Sequence, residues 1–164
     1  MKKLINRMAF CCRKAANACR RLKWRARIKY VGKDFSVSRG LTVVAPYNLS
    51  IGDHCSINPN VYINAYNPVT IGNDVSIATG VSIVSADMEM KKWADTGVKT
   101  HVLSKDHEIV IGDHVLMATK ATILAGVHIE GEYVVIAAGA VVTRSIYESR
   151  CIVAGCPAKI IKYF

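Results

Sequence analysis

Large aliphatic residues recur at every sixth position through most of this chain, a period that belongs neither to an amphipathic helix nor to a simple alternating strand. Ile51, Ile57 and Ile63 make one run, Ile71, Ile77 and Ile83 a second, and Ile111, Met117, Ile123, Ile129, Val135 and Val141 a third. Four residues after most of them stands a small or β-branched residue: Cys55, Val61, Val75, Val81, Val115, Ala121 and Val127. Each run opens on Ile-Gly-Asp or Ile-Gly-Asn, at Ile51-Gly52-Asp53, Ile71-Gly72-Asn73 and Ile111-Gly112-Asp113. Short strands joined by tight turns satisfy this pattern, with one large side chain inward per strand and a smaller one at the next corner. Stacked in register, such strands pair their backbones between coils about 4.8 Å apart. The pattern therefore predicts an all-β chain, a parallel β-helix. A β-sandwich, whose strands recur at roughly 8 to 12 residues, does not keep one beat.

Two departures from the beat carry information. The first coil, around Val31-Gly32 and Val37, reads as irregular, and Asn67-Pro68 as two residues added at a corner. Between Ile83 and Ile111 the beat is lost in a polar, charged stretch containing Trp93, Gly97, His101 and His107. A long loop inside a regular array usually has a function. Residues 84–110 are therefore expected to leave one corner of the helix as an excursion.

Ahead of the coils, Leu4, Met8, Cys11, Ala15, Cys19 and Leu22 recur at helical spacing among Arg and Lys, which predicts a basic amphipathic helix over residues 1–30. Charge sharpens this picture. The chain has 22 Lys and Arg against 12 Asp and Glu, and eleven of the bases fall in residues 1–30 with no acid among them. The remaining eleven bases face all twelve acids, so the body carries −1 and the basic character belongs to the arm. One role for such an arm is adsorption to an anionic membrane surface, where each basic residue contributes about 1 kcal/mol. Packing on the body or on a neighbouring molecule is another. Nucleic acid is disfavoured, because Phe10, Trp24 and Tyr30 supply little aromatic interleaving.

Composition agrees with narrow layers: apolar residues make up 51% of the chain and aromatics only 7%, so Val, Ile, Ala and Cys must build the core. At 164 residues the chain suits one domain, residues 31–162, behind the arm. Its six cysteines form no CxxC pair and no metal-ligand spacing. Arg7 and Arg13 interrupt the apolar run of the arm, leaving neither a secretory core nor a spanning segment. A reducing cytoplasm is the simplest compartment, with the arm allowing peripheral contact at the inner face of the plasma membrane.

The segments Ile111-Gly112-Asp113-His114-Val115, Ala121-Thr122-Ile123-Leu124-Ala125-Gly126-Val127, Ala138-Gly139-Ala140-Val141-Val142-Thr143-Arg144 and Val153-Ala154-Gly155-Cys156-Pro157-Ala158-Lys159 follow one another in an order that resembles the left-handed β-helix acyltransferases. The likeness, to the galactoside, maltose and surface-polysaccharide O-acetyltransferases in particular, covers residues 31–162. It implies a left-handed coil of hexapeptide repeats, a homotrimer, and acetyl-CoA lying between neighbouring subunits. It also implies transfer of acetyl to a hydroxyl of a sugar or saccharide precursor, with a histidine as general base and no metal. A hydroxyl needs such a base as it attacks the thioester, and the oxyanion then needs a pre-aimed donor.

Carried across by position, the likeness implies that Thr119, Ala138, Thr143 and Arg144 contact the pantetheine and phosphates, and that Lys159 and Lys162 stand near the nucleotide end. The likeness also implies that Asn58 and Asn60 face the acceptor, although Asn60 equally suits a turn. The catalytic segment departs from the family. Relatives carry Ser-Asp-x-His there, whereas this chain reads Ser85-Ala86-Asp87-Met88-Glu89, so Asp87 matches and Glu89 replaces the histidine. A carboxylate with an ordinary pKa of about 4.3 is a weak base for a hydroxyl. His101 or His107, further along the excursion, would supply an imidazole, and His101 is preferred because His107 adjoins the restart of the coil. Leu116 replaces a family tryptophan. Two other functions remain open: a scaffolding trimer that has lost its base, and a metal enzyme of the carbonic-anhydrase type. For the latter, His54 and His114 stand at turn positions where exposed residues are usual.

Overall fold

The computed structural model describes residues 15–164. Each coil contributes three short strands. The first coil holds β1 (Tyr30–Val31), β2 (Ser36–Val37) and β3 (Thr42–Val44), and the second β4 (Leu49–Ile51), β5 (Ser56–Ile57) and β6 (Tyr62–Asn64). The third holds β7 (Val69–Ile71), β8 (Ser76–Ile77) and β9 (Ser82–Val84), and the fourth β10 (Ile109–Ile111), β11 (Leu116–Met117) and β12 (Thr122–Leu124). The fifth holds β13 (His128–Ile129), β14 (Val134–Ile136) and β15 (Val141–Val142), and an antiparallel hairpin of β16 (Cys151–Gly155) and β17 (Ala158–Tyr163) ends the chain. Like strands stack in parallel into three faces, β1-β4-β7-β10-β13, β2-β5-β8-β11-β14-β16 and β3-β6-β9-β12-β15. This is the parallel β-helix that the six-residue beat predicts.

The core is one continuous column. Ile51, Ile57, Ile63, Ile71, Ile77, Ile83, Ile111, Met117, Ile123 and Ile129 are all buried, as are the smaller corner residues Cys55, Val61, Val75, Val81, Val115, Ala121 and Val127. Two expectations about the beat are corrected. The first coil is regular: Tyr30 pairs with Ser50, Ser36 with Ser56 and Thr42 with Tyr62 at a constant offset. Its regularity is masked in sequence because Phe35 and Leu41, both buried, occupy the corner positions that smaller residues fill elsewhere. Past Ile129 the frame moves by one, so that Met117 pairs with Ile136 and Ile123 with Val142. Val135 and Val141 are therefore only half-buried, and Val134, Ile136, Ala140 and Val142 fill the core. An additional residue at the corner through Gly131 and Tyr133, where Tyr133 adopts φ 57°, absorbs the shift.

The Ile-Gly-Asp phrase has a mechanical explanation. Asp53 Oδ1 accepts from the Lys33 N–H of the preceding coil at 2.7 Å, Asn73 Oδ1 from Asp53 N–H at 2.8 Å, and Asp113 Oδ1 from Asn73 N–H at 2.6 Å. The corner amides, which no strand pairs, thereby find acceptors in the next coil. A Cβ on Gly52 would stand 2.6 Å from Asn73 Oδ1, and one on Gly72 2.3 Å from Asp113 Oδ1, so glycine gives these side chains room. The residue after each Asp or Asn turns the corner with positive φ, 55° at His54 and 56° at His114. His54 lies 3.5 Å from both Asp34 and Asp74, and His114 stacks on Tyr133 with ring centroids 4.5 Å apart.

A helix, α1, occupies residues 15–25. Its burial differs from the expected apolar stripe: Ala15, Cys19 and Leu22 are exposed, whereas Trp24 and, just beyond the helix, Ile28 join the core column beside Phe35 and Val37. Lys23 and Arg27 flank the Trp24 ring at 5.6 and 5.3 Å. The end of the arm nearest the body thus closes the first coil, while Leu4, Met8 and Cys11 lie outside the described residues. Among the described residues no helix is long and apolar enough to cross a membrane.

Candidate active site

The excursion leaves the third face at Ser85, where β9 ends, and returns to the first face at Ile109. Within it Met88 and His101 form an antiparallel bridge, and Glu89 N–H donates to Thr100 O at 2.9 Å. The turn of the excursion is α2 (Met90–Thr96), stopped by Gly97, whose φ of 70° closes the helix with a bond to Trp93 O. On the way back, Ser104 caps a 3-10 turn over Lys105–His107, its hydroxyl accepting from Asp106 N–H at 3.1 Å. The segment that sequence left without regular structure is therefore a short ribbon ending in a helix.

That ribbon brings three candidate residues to one corner. His101 Nδ1 lies 3.4 Å from the Asp87 carbonyl oxygen. A carbonyl can only accept, so the contact places a proton on Nδ1, and in the neutral ring the lone pair is then on Nε2. His101 is exposed, and the Tyr66 ring packs beside it at 5.0 Å between centroids. The Asp87 side chain turns the other way: Oδ1 accepts from Met88 N–H at 2.7 Å, and Oδ2 lies 3.3 Å from His107 Nε2. The remaining His107 nitrogen, Nδ1, is buried. Glu89 is exposed and lies 3.7 Å from Lys92 rather than against an imidazole. Of the imidazoles on the excursion, His101 is the one with an unengaged nitrogen at the surface.

The other residues named from sequence sort onto two corners and the end hairpin. Asn58 and Asn60 lie at the corner between the second and third faces in the second coil, and Asn60 takes φ 59° there, a turn role. Thr119 and Ala138, both exposed, occupy the same corner in the fourth and fifth coils, linked by Gly139 N–H donating to Thr119 O at 3.0 Å. Thr143 and Arg144 follow β15, on the corner from which the excursion emerges in the third coil. Lys159 and Lys162 are exposed on β17. Leu116 points outward beside Ser76 and Val135.

Two residues that sequence reasoning missed are Asn67 and Ser85, buried polar side chains at the base of the excursion. The two-residue insertion Asn67-Pro68 was the available signal, since an asparagine beside an inserted loop has unpaired backbone to bind. Burial pushes the thiols of Cys55 and Cys151 up, and both belong to the core column rather than to this corner. Among the described residues, no group of three or more His, Cys, Asp or Glu side chains is placed to hold a metal ion.

No family model matches the chain. WbbJ of Escherichia coli strain K12, a protein named for O-acetyl transfer in lipopolysaccharide biosynthesis, is 32% identical over 140 residues, covering 81% of this chain and 70% of WbbJ. A Saccharomyces cerevisiae protein named as an acetyltransferase is 36% identical over 115 residues, 70% of this chain and 56% of the yeast protein. Among solved structures, the hexapeptide-repeat containing acetyltransferase VCA0836 of Vibrio cholerae superposes with a TM-score of 0.80 at 28% identity, covering 90% of this chain and 80% of that one. Its acetyl coenzyme A complex gives a TM-score of 0.79 at 26% identity, over 89% and 76% of the two chains. With its stacked six-residue repeats and these relatives, the chain belongs to the hexapeptide-repeat acetyltransferases.

Proposed function

We propose that this protein is an acetyl-CoA-dependent O-acetyltransferase acting on a hydroxyl of a sugar or surface-polysaccharide precursor, with His101 as its general base. The observation that carries the assignment of the base is the His101 ring, held through Nδ1 by the Asp87 carbonyl with Nε2 open. In this reading Nε2 takes the proton of the acceptor hydroxyl as its oxygen attacks the thioester carbonyl. A backbone N–H supports the tetrahedral oxyanion. The carbon–sulfur bond then breaks, the imidazolium returns the proton to the coenzyme A sulfur, and an acetyl ester leaves. Asp87 contributes by fixing the tautomer through its carbonyl and by holding the ribbon through its carboxylate. Glu89 lies beside the site as a secondary base candidate. The name of WbbJ supports a saccharide acceptor, and the VCA0836 complex supports acetyl-CoA as donor.

The active assembly in this reading is a left-handed homotrimer. One chain keeps Asn58, Asn60, Thr119 and Ala138 on one corner and the His101 ribbon, Thr143 and Arg144 on the next. A neighbour's corner set against the ribbon would complete a single groove for acetyl-CoA, ended by Lys159 and Lys162. The outward residues of the third face support such packing: Thr42, Val44, Tyr62, Asn64, Ser82, Val84, Thr122 and Leu124 carry no charge. Residues 31–162 form the catalytic domain, and residues 1–30 a cytoplasmic arm that meets the anionic inner face of the plasma membrane. With Trp24 and Ile28 occupied in the core, contact through the described part of the arm rests on Arg20, Arg21, Lys23 and Arg27.

Calorimetry with coenzyme A, followed by acetyl-CoA turnover, tests the proposal. Binding in the micromolar to millimolar range with turnover lost in His101→Ala is the expected result. Absence of binding at millimolar coenzyme A favours a scaffolding trimer instead. Sedimentation with phosphatidylserine vesicles tests the arm: binding that disappears at high salt is expected, and binding indifferent to salt overturns the electrostatic contact.

A further inference from the structure

We infer that Asn67 is a positioning residue for the His101 base, clamping the excursion shut at its root. This rests on the proposed role of His101 and adds to it a residue that never touches the reacting atoms.

The argument begins with burial. The Asn67 side chain is 2% exposed, and a buried primary amide is tolerated only if its donors and acceptor are matched. All are. Nδ2 donates to Ser85 O at 2.8 Å and to Val102 O at 3.0 Å, and Oδ1 accepts from Ser104 N–H at 3.1 Å. Ser85 lies where the excursion departs, and Val102 and Ser104 where it returns. A single planar amide therefore spans both ends of the loop. Ser85 closes the arrangement from its own side, its hydroxyl accepting from Asn67 N–H at 3.0 Å and reaching Asn67 O at 2.6 Å and Asn64 O at 2.9 Å.

Both anchored ends adjoin the proposed base. Val102 follows His101 directly; its carbonyl goes to Asn67 and its N–H to Asp87 O at 3.0 Å, the oxygen that also orients His101 Nδ1. Ser104, whose N–H is held by Asn67, caps the turn that carries His107, and His107 grips the Asp87 carboxylate. Asn67 is thus bonded to both strands of the ribbon whose register sets the His101 ring. Elsewhere in the molecule such fastening is provided by coil-to-coil strand pairing, which the excursion has surrendered.

The test combines two readouts on Asn67→Ala and Asn67→Asp. The second variant keeps the side-chain volume and the acceptor but, ionised, donates to neither carbonyl, and the readouts are taken on whichever of the two variants folds. Hydrogen exchange by mass spectrometry needs no substrate: faster exchange across 86–107, with coil peptides over 49–64 and 69–83 unchanged, is expected. Unchanged exchange in 86–107 overturns the clamp. For turnover, acetyl-CoA with methyl glucoside as probe acceptor should show kcat reduced roughly 10²-fold, the usual cost of about an ångström of misplacement. The KM for acetyl-CoA should be conserved. A loss confined to that KM, or kcat equal to the parent enzyme, overturns the positioning role. Full turnover in His101→Ala would instead overturn the base assignment while the exchange result still decides the clamp.

Discussion

The regular coils and the excursion are built from the same chain but are held together by opposite means. In the coils each inward side chain stacks on equivalents in neighbouring coils, and at the Ile-Gly-Asp corner the amides of Lys33, Asp53 and Asn73 each meet an Asp or Asn one coil on. Removing any one of these leaves neighbours that still define the register. The excursion has no such repetition: its ribbon depends on Asn67, Ser85 and the Asp87 contacts, each present once. The difference explains why the base would sit there. A coil position cannot change without disturbing its neighbours, whereas a loop fastened at its root can carry chemistry at its surface.

Damage to the two regions should therefore be separable. The largest effect is expected from His101→Ala, which should lower kcat by about 10²–10⁴-fold, the usual contribution of a positioned base. Its thermal unfolding should match the parent, and Glu89→Ala should cost much less than His101→Ala. Comparable losses for both would shift the base towards the carboxylate. Next comes Ile123→Ala in the core column, with 0% exposure. It should lower stability by about 2–5 kcal/mol in chemical denaturation while turnover per folded molecule stays unchanged. Asp113→Ala, which leaves Asn73 N–H without its acceptor, should cost about 1 kcal/mol, because water reaches this corner.

The smallest effect concerns pH. Burial raises the Cys55 and Cys151 thiols above their ordinary value of 9.0 in the folded chain. The unfolded chain therefore releases these protons first as pH rises. Their contribution is intact below 9.0 and declines as pH climbs past it, so the denaturation midpoint should fall on that side only. Alkylation of the native protein should spare both residues until unfolding. Rapid native labelling of Cys55 would show that the column is looser than its packing.

Much of the coil region was legible in advance, because repetition writes the same physical demand several times. Ile51, Ile71 and Ile111 each precede Gly and Asp or Asn, and three copies outweigh coincidence. Legibility failed where the demand was met by an unusual residue. Phe35 hid a regular first coil, and one residue added before Tyr133 shifted Val135 and Val141 out of the core. In the excursion, the preference for His101 rested on its distance from the coil restart. The contact with Asp87 depends on a ribbon register to which no sequence period points. Asn67 looked like corner filler, since its partners Val102 and Ser104 are far away along the chain.

Sequence alone therefore determined the stacked coils, the place where they break and the family to which they belong, because hydrophobic period and tight-turn residues are local properties that add up along the chain. Only the tertiary structure decided that Trp24 and Ile28 cap the column and that Asp87 offers its carbonyl to His101 and its carboxylate to His107. It alone decided that one buried amide holds both ends of the excursion. Those are choices of partner between distant segments, set by which groups meet when the coils close, and no single position along the chain carries them.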